Sequence, residues 1–525
     1  MSGELRAMSE PKRLRIYHPI FFSIHPVLFF LTFNLTQVTL FKKPLVFLGI
    51  SLILSLLMWA IWTLLLGDKI KAGILTSTSL VMFFSYGHVY EATNHFLVLG
   101  HKKFFPLWLL CFVLLLIFFF RTGRDLGPLT RVLNLLSAVL IGFCGINVGV
   151  FFYDRPSFPR ETPTVSRSDK ANHAVSVSSY RPDIYYIILD GYAGTETLQR
   201  LFNFDNKDFT DFLLASGFYV ASESKSNYPC SYLSMASSLN MRYLSDLTPL
   251  MVKNPLNPNI LVQLIQDNKV LRILKSKGYQ YVHFASGWGP TNYNEHADYN
   301  TAGQSPLSRV IDEWSIKFLQ TTLIHPVLKY FKLLEQGSRE RVLYAFSELG
   351  RLGDTQSPKF IFAHLLVPHP PYLFGPEGEP TRTQSDMGNW NPKEEYLGQL
   401  LFVNKKLKEL TRVLLDKSHG PPPIIIFQGD HGPAFSGNQL SEEAILERFN
   451  ILNAYRLPRG LEGAAYPSIT PVNTFRLILK GLFHEDLPLL EDRTYFVDTD
   501  KSFYDFVEIT NNGSVRLQER DKGIH

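Results

Sequence analysis

The stretch PIIIFQGDHG at residues 423–432 decides the fold of the second half of the chain. It is a short apolar run without alternation, and it ends directly in Gly, Asp and His. Runs of this kind are typical of strands that are buried on both faces of a parallel sheet. Three further runs share the pattern: IYYIIL (184–189), YQYVHF (279–284) and KFIFA (359–363).

Helical patterns lie between and after these runs. Residues 259–277, 394–417 and 471–483 carry apolar side chains at helical spacing, and Gly278 follows the first of them as a plausible stop. Strands that alternate with helices indicate an α/β sandwich with a mainly parallel sheet. We assign this domain to residues 183–525, a length sufficient for one large core.

Polar side chains follow three of the predicted strands. Asp190 comes after the first run, His364 and His369 after KFIFA, and Asp430-His431 after PIIIFQG. Each has an ordinary reading as a turn or loop residue when taken alone. Because ligands bind beyond the carboxyl ends of strands in open α/β sheets, we expect a shared site. Carboxylates with an imidazole suit one divalent metal ion, which could be Zn²⁺, Mn²⁺ or Mg²⁺.

A candidate nucleophile lies in SNYPCSYLSMASSLNM, residues 226–241. The pattern from Ser231 onwards is helical, and Pro229 stands just before it. A hydroxyl at a helix N-terminus faces free N–H groups and a favourable dipole, which stabilise an alkoxide and an incoming anion. Two alternatives stay open: Ser231 is only an N-cap residue, or the Cys230 thiol is the nucleophile.

The first 153 residues have the character of a membrane region. The whole chain is 46% hydrophobic and only 19% charged. Five apolar stretches lie in this region, and a spanning helix needs about 20 such residues. They cover residues 20–41, 45–66, 73–93, 104–120 and 132–152. We therefore expect five transmembrane helices, followed by a flexible Ser/Pro/Thr-rich linker over residues 154–182.

The charge distribution indicates the topology. Residues 1–153 hold 13 Lys/Arg and 5 Asp/Glu, whereas the remainder holds 39 and 42. The second half therefore has no basic excess, which argues against nucleic-acid binding. If all five stretches span, nine Lys/Arg lie on one side and four on the other. That bias places the N-terminus in the cytoplasm. With an odd number of spans, we expect a multi-pass protein of the plasma (inner) membrane whose second half lies on the periplasmic or extracellular side.

Cysteine usage excludes two classes of site. The chain has three cysteines, and Cys111 and Cys144 lie inside apolar runs. Only Cys230 lies in polar sequence, so neither a disulfide framework nor a Cys-based zinc site is expected. Two other residues have open readings. Trp288 lines a pocket or packs in a loop, and Arg448 forms a surface salt bridge or binds phosphate, with the salt bridge favoured.

These residues and their order resemble the alkaline phosphatase superfamily. Within it the chain is similar to the membrane-anchored sulfatase-like hydrolases and transferases, among them lipoteichoic acid synthases and the phosphoglycerol and phosphoethanolamine transferases. The resemblance implies five N-terminal membrane helices and an extracytoplasmic α/β catalytic domain. It also implies roles for individual residues: metal ligation by Asp190, Ser231, Asp430 and His431, nucleophilic attack by Ser231, and binding of the substrate phosphate by His364 and His369.

The implied activity is metal-dependent transfer of a phosphoglycerol- or phosphoethanolamine-type group to a cell-envelope glycan or lipid through a covalent Ser231 intermediate. The partner is then a membrane lipid or lipid-linked glycan. Asp190 stands where the transferases usually have Glu, and Cys230–Ser234 lacks the C/S-x-P-x-R motif of type I sulfatases. Two alternatives remain: a sulfatase-like hydrolase with water as acceptor, and an inactive scaffold or sensor that retains the fold. The oligomeric state stays open.

Overall fold

The computed structural model describes residues 14–35, 42–97, 99–153, 181–250, 252, 254–354, 358–381, 388–416, 421–437, 440–510 and 515–516. These residues form two compact units. One unit consists of the N-terminal helices together with Ser315–Phe331. The other holds the described residues from 181 to 314 and from 332 onwards. Most of the predicted linker, residues 154–180, lies outside the described residues, so the predicted domain boundaries stay a prediction.

The described elements are numbered in chain order. The helices are α1 (His18–Phe33), α2 (Lys42–Leu66), α3 (Lys69–Leu97), α4 (Gly100–Arg121), α5 (Gly127–Tyr153), α6 (Thr195–Phe202), α7 (Lys207–Ala215), α8 (Ser231–Asn240), α9 (Asn259–Gln266), α10 (Lys269–Ser276), α11 (Gly289–Asn292), α12 (Pro306–Val310), α13 (Glu313–Gln320), α14 (His325–Tyr330), α15 (Leu333–Arg351), α16 (Lys393–Asp416), α17 (Glu442–Phe449) and α18 (Pro471–Phe483). The strands are β1 (Ile184–Leu189), β2 (Tyr219–Val220), β3 (Gln280–Phe284), β4 (Tyr299–Thr301), β5 (Lys359–Leu365), β6 (Ile424–Gly429), β7 (Asn453–Arg456), β8 (Thr494–Phe496), β9 (Val507–Ile509) and β10 (Val515–Arg516).

The N-terminal unit contains three described helices that are long and apolar enough to cross a membrane. These are Lys43–Leu66, Gly100–Arg121 and Gly127–Phe151, within α2, α4 and α5. The first predicted stretch forms the shorter apolar helix α1, of 16 residues. The third forms α3, which is 29 residues long but contains more polar side chains. The chain is therefore a membrane protein, and the count of five spans stays a prediction.

The centre of the second unit is a seven-stranded sheet with strand order β2-β7-β6-β1-β5-β3-β4. The pairs β6–β1, β1–β5, β5–β3 and β3–β4 are parallel, whereas β7 pairs with β6 and β2 in the antiparallel sense. The four predicted apolar runs are β1, β3, β5 and β6, and nearly every residue in them is buried. The prediction of an α/β domain with a mainly parallel sheet is confirmed.

One predicted helix is divided in two. The sequence pattern favours a single helix over residues 259–277, but α9 ends at Gln266 and α10 begins at Lys269. The side chain of Asn268 accepts a hydrogen bond from the backbone N–H of Leu271 and caps α10. Asn favours such caps over helix interiors, and so it starts a new helix here.

A buried ion pair ties together the entry ends of the three central strands. The Nζ of Lys359 lies 2.9 Å from Oδ2 of Asp183, and both side chains are almost inaccessible to solvent. The second carboxylate oxygen of Asp183 accepts a hydrogen bond from the backbone N–H of Lys359. The backbone carbonyl of Asp183 accepts one from the backbone N–H of Ile424. Asp183 thus links the start of β1 to β5 through its carboxylate and to β6 through its backbone carbonyl.

We predict that Lys359→Met destabilises the second unit by about 3–5 kcal/mol, because it leaves the Asp183 carboxylate buried without its countercharge. The measurement is denaturant unfolding of the full chain in detergent, followed by tryptophan fluorescence. Lys405→Met is the control, since Lys405 pairs with Glu377 at the surface and both side chains are largely exposed. The double variant Asp183→Asn/Lys359→Met should regain part of the loss. Equal midpoints for the Lys359 and Lys405 variants would refute the prediction.

Candidate metal centre and nucleophile

Strand register brings the predicted acidic residues together. In the parallel pair of β1 and β6, Leu189 lies opposite Gly429, and each strand ends there. The next residue on each strand is acidic, Asp190 on one and Asp430 on the other. The strands therefore deliver two carboxylates to neighbouring positions at the carboxyl edge of the sheet, as the sequence pattern predicts.

Asp190, Asp430 and His431 form a cluster that could hold a metal ion. Each offers one ligand atom, and these atoms lie within 4.8 Å of one another. All three side chains are buried. Oδ1 of Asp190 and Oδ2 of Asp430 have no hydrogen-bond partner among the described residues, although water cannot reach them. Both oxygens lie 3.5 Å from Nε2 of His431. Two unsatisfied anionic oxygens beside one ring nitrogen suit a divalent cation.

The ring of His431 is oriented by a backbone carbonyl. Its Nδ1 lies 2.9 Å from the carbonyl oxygen of Gly432, which has no proton to give, so Nδ1 donates and Nε2 is left with its lone pair facing the two carboxylates. Burial, together with the positive charge of Arg448, lowers the pKa of His431 to about 4. The imidazole is therefore neutral at ordinary pH, which is the form that binds a metal.

The carboxylate of Asp190 is held in its ionised form. Burial alone would raise its pKa, but the electrostatic interaction with His369, together with the contacts of His364 and His431, outweighs burial, and the pKa lies well below its usual range. The Nε2 of His364 is 3.5 Å from Oδ2 of Asp190, which is long for a hydrogen bond, so we attribute the shift mainly to charge.

The partly buried Ser231 lies against this cluster. It is the first residue of α8, and Cys230 is the N-cap. The ordinary reading of Ser231 as the capping residue is therefore wrong. The Oγ of Ser231 lies 3.2 Å from Nε2 of His431. Burial raises the pKa of the Cys230 thiol to about 11, which disfavours the thiolate that a cysteine nucleophile would need.

The two predicted substrate histidines occupy different positions. His364 is fully buried, and its Nδ1 lies 2.9 Å from Oγ1 of Thr291. His369 is half-buried, and its backbone N–H donates to the carbonyl of Asp190 over 3.0 Å. The His369 ring packs edge-on against Trp390, with the ring centres 4.7 Å apart, and lies 6.4 Å from the ring of His431.

The side chain of Arg448 connects two loops of the site through hydrogen bonds. Its Nη1 donates to the carbonyl of Gly432 over 2.8 Å and its Nε to the carbonyl of Pro229 over 2.5 Å. The favoured sequence reading of a surface salt bridge is therefore wrong. Arg448 instead joins the loop before Ser231 to the loop after His431, and its charge lies close enough to Asp430 and Asp190 to interact with both.

Trp288 and Thr291 lie near Ser231 and His364. The ring of Trp288 lies 4.7 Å from that of Tyr232, the residue after Ser231, and 5.6 Å from that of His364. Trp288 thus lies close to Ser231 and His364, and both interpretations of its role stay open. Thr291, the hydroxyl partner of His364, was missed. The sequence places Thr291 in GWGPTN, just after β3, and this position does not indicate a hydrogen-bond partner on β5.

A family model described as Sulfatase matches residues 202–475, just over half of the chain. The chain belongs to the sulfatase family. The resemblance to sulfatase-like enzymes is thereby confirmed at the level of the family. The matched region includes Ser231, His364, His369, Asp430 and His431 but begins after Asp190.

Solved structures with distant similarity include a putative sulfatase and two phosphoethanolamine transferases. A putative sulfatase, yidJ, from Bacteroides fragilis is 15% identical with a TM-score of 0.39, covering 61% of this chain and 82% of that one. The C-terminal periplasmic domain of phosphoethanolamine transferase EptC from Campylobacter jejuni is 13% identical with a TM-score of 0.38, covering 59% and 92%. Lipooligosaccharide phosphoethanolamine transferase A (EptA) from Neisseria meningitidis is 12% identical with a TM-score of 0.36, covering 89% and 95%.

No curated protein matches the chain. The match to the Sulfatase family model is what assigns this enzyme to its family.

We predict that the sulfatase-family enzyme, purified as the full chain in detergent, binds a divalent ion, and that Asp430→Asn lowers its metal affinity at least about a hundred-fold. Elemental analysis after dialysis against a weak chelator measures the metal content. His484→Ala is the matched control, because His484 is an exposed histidine at the end of α18. A metal content that is the same in Asp430→Asn and wild type would show that the cluster is not the metal site.

Proposed function

We propose that the enzyme transfers a phospho-substituted group, of the phosphoglycerol or phosphoethanolamine type, to a cell-envelope glycan or lipid. The observation that supports this most directly is the position of the Ser231 hydroxyl, 3.2 Å from Nε2 of His431 and beside the unsatisfied oxygens of Asp190 and Asp430. A hydroxyl at a helix start, next to a cation site, is the arrangement that nucleophilic phosphoryl transfer needs.

In the proposed reaction, Ser231 Oγ attacks the phosphorus of a phosphodiester and the bond from phosphorus to the lipid alcohol breaks. The serine proton leaves to solvent, and the lipid alkoxide is protonated as it departs. An acceptor hydroxyl then attacks the same phosphorus and gives up its proton to solvent. The bond from phosphorus to Oγ breaks, and Ser231 is restored when its oxygen takes up a proton. Asp190, Asp430 and His431 would hold one divalent ion together with the serine oxygen. When bound, such an ion supplies positive charge that favours the serine alkoxide and offsets charge on the phosphoryl oxygens.

The two histidines have separate proposed roles. His369 is half-buried, next to His431, and suits the predicted contact with the substrate phosphate. The fully buried His364 contacts Asp190 and Thr291, and this position suits orientation of the Asp190 carboxylate better than the substrate contact proposed from sequence. We therefore assign substrate binding to His369 and a positioning role to His364.

The membrane part supports a lipid or lipid-linked glycan as substrate, because it keeps the enzyme at the surface that such molecules occupy. We propose five spans, with α1 and α3 crossing beside the three candidate spans, and a catalytic unit outside the plasma (inner) membrane. The Lys/Arg distribution supports this orientation. A reporter enzyme that is active only outside the cytoplasm, fused after residue 153, should be active. An inactive fusion, produced at the same level, would overturn the five-span topology.

We predict that Ser231→Ala lowers turnover of p-nitrophenyl phosphodiesters by about a thousand-fold or more, because the nucleophile is removed. Metal content should fall far less than it does in Asp430→Asn. Cys230→Ala is the matched control, since it alters the neighbouring side chain and leaves the hydroxyl, and it should retain most activity. Mass spectrometry of quenched wild type should locate the phospho-adduct on Ser231.

Two outcomes would reject the proposal. Full loss of activity in Cys230→Ala, with an adduct on Cys230, would make the thiol the nucleophile. A wild-type enzyme that binds metal but turns over no phosphodiester, with and without added lipid and glycan, would favour the inactive scaffold. Hydrolysis in place of transfer would appear as release of the headgroup at a rate independent of the acceptor.

A further inference from the structure

A segment from the second half of the sequence belongs to the membrane unit. Ser315–Phe331 groups with the N-terminal helices, although some 160 residues separate it from α5 along the chain. Its anchor is Phe318, which is 3% exposed. The ring of Phe318 lies 5.2 Å from that of Phe47, 5.6 Å from Phe30 and 6.1 Å from Phe84, so three helices contribute to its pocket.

Backbone hydrogen bonds fix the segment onto α3. The N–H of Gly87 donates to the carbonyl of Thr321 over 2.9 Å, and the N–H of Leu323 donates to the carbonyl of Phe83 over 2.8 Å. Gly87 is needed for this approach, because a Cβ atom there would overlap the backbone of Gln320 and Thr321. These two backbone hydrogen bonds, at a position where only glycine fits, form a specific docking contact on α3, which we call the seat of the segment.

All of these contacts lie at one end of the membrane unit. Gly87 comes eighteen residues after Lys69, the start of α3, which is a rise of about 27 Å at 1.5 Å per residue. Phe47 lies near the first residue of α2 and Phe30 near the last residue of α1. His101, the second residue of α4, has its ring 5.2 Å from that of His325. Since a hydrocarbon core is about 30 Å thick, the segment sits at the level of one bilayer surface.

The last part of the segment exposes an apolar face. Ile324, Val327, Tyr330 and Phe331 are 40%, 42%, 78% and 63% exposed, and their spacing places them along one side of α14. Ser315–Phe331 contains two lysines and no acidic residue. Aromatic residues and lysines are enriched where proteins meet the headgroup layer of a membrane.

We propose that Ser315–Phe331 is a membrane-surface element whose exposed face, formed by Ile324, Val327, Tyr330 and Phe331, lies in the phospholipid headgroup layer. Continuity with the candidate spans supports lipid as the occupant. Leu45 and Val46, in the first turn of α2 at the same end, are 62% and 59% exposed, so the apolar surface of the spans continues towards this level. The proposal is independent of the reaction that the enzyme catalyses.

Site-specific photocrosslinking tests the proposal in the full chain. p-Benzoylphenylalanine replaces Tyr330, and the protein is reconstituted into vesicles of phosphatidylcholine and phosphatidylglycerol. Tyr299 is the matched control position, because it is also an exposed tyrosine, 58% exposed, and lies in β4 of the other unit. After illumination, intact-mass spectrometry should find a phospholipid adduct at least about ten-fold more abundant at position 330 than at position 299. Equal adducts at both positions, or an adduct with a second protein chain at position 330, would overturn the proposal.

A second variant tests whether the seat on α3 sets the depth of the segment. Gly87→Val inserts a side chain into the contact with Thr321 and should reduce the lipid adduct at position 330 several-fold. Gly49→Val is its control, since a Cβ atom on Gly49 of α2 meets nothing within 4 Å, and it should leave the adduct unchanged. An undiminished adduct in Gly87→Val would overturn the assignment of the seat as the positioning contact.

Discussion

Two carboxylates buried side by side need positive charge between them, and the site depends on this electrostatic constraint. The pairing of β1 with β6 places Asp190 and Asp430 one residue beyond matched strand ends, so the sheet cannot form without bringing them together. The neutral His431 supplies a lone pair and no charge, and Arg448 supplies charge from a distance. The interactions that form the centre of the sheet therefore also create the demand for a cation.

The parts of the fold that were predicted correctly depend on local sequence and on a general rule of sheet geometry. Apolar runs without alternation identified β1, β3, β5 and β6, since strands covered on both faces have no polar side. The residues after those runs converge because parallel strands end at the same edge. Asp190, Asp430 and His431 could thus be placed together from sequence, whereas their roles in catalysis stay predictions.

The parts that were missed depend on partners far away in the sequence. A surface salt bridge was favoured for Arg448, because nothing local indicates that its guanidinium reaches the carbonyls of Pro229 and Gly432. Thr291, in α11 after β3, pairs with His364 on β5, 73 residues further along the chain. The break between α9 and α10 follows from one capping residue, Asn268, whose cap outweighs the apolar periodicity.

The packing of Phe318 against the N-terminal helices has a practical consequence for producing the protein. A protein that begins near residue 181 is an obvious design for producing the catalytic half alone, because the predicted linker ends there. Such a fragment keeps Ser315–Phe331 and discards Phe30, Phe47 and Phe84, the rings that cover Phe318. The exposed ring of Phe318 then joins the apolar face of α14 in one exposed hydrophobic patch, and such patches promote aggregation. Detergent or a bilayer is needed for the truncated enzyme as well as for the intact one.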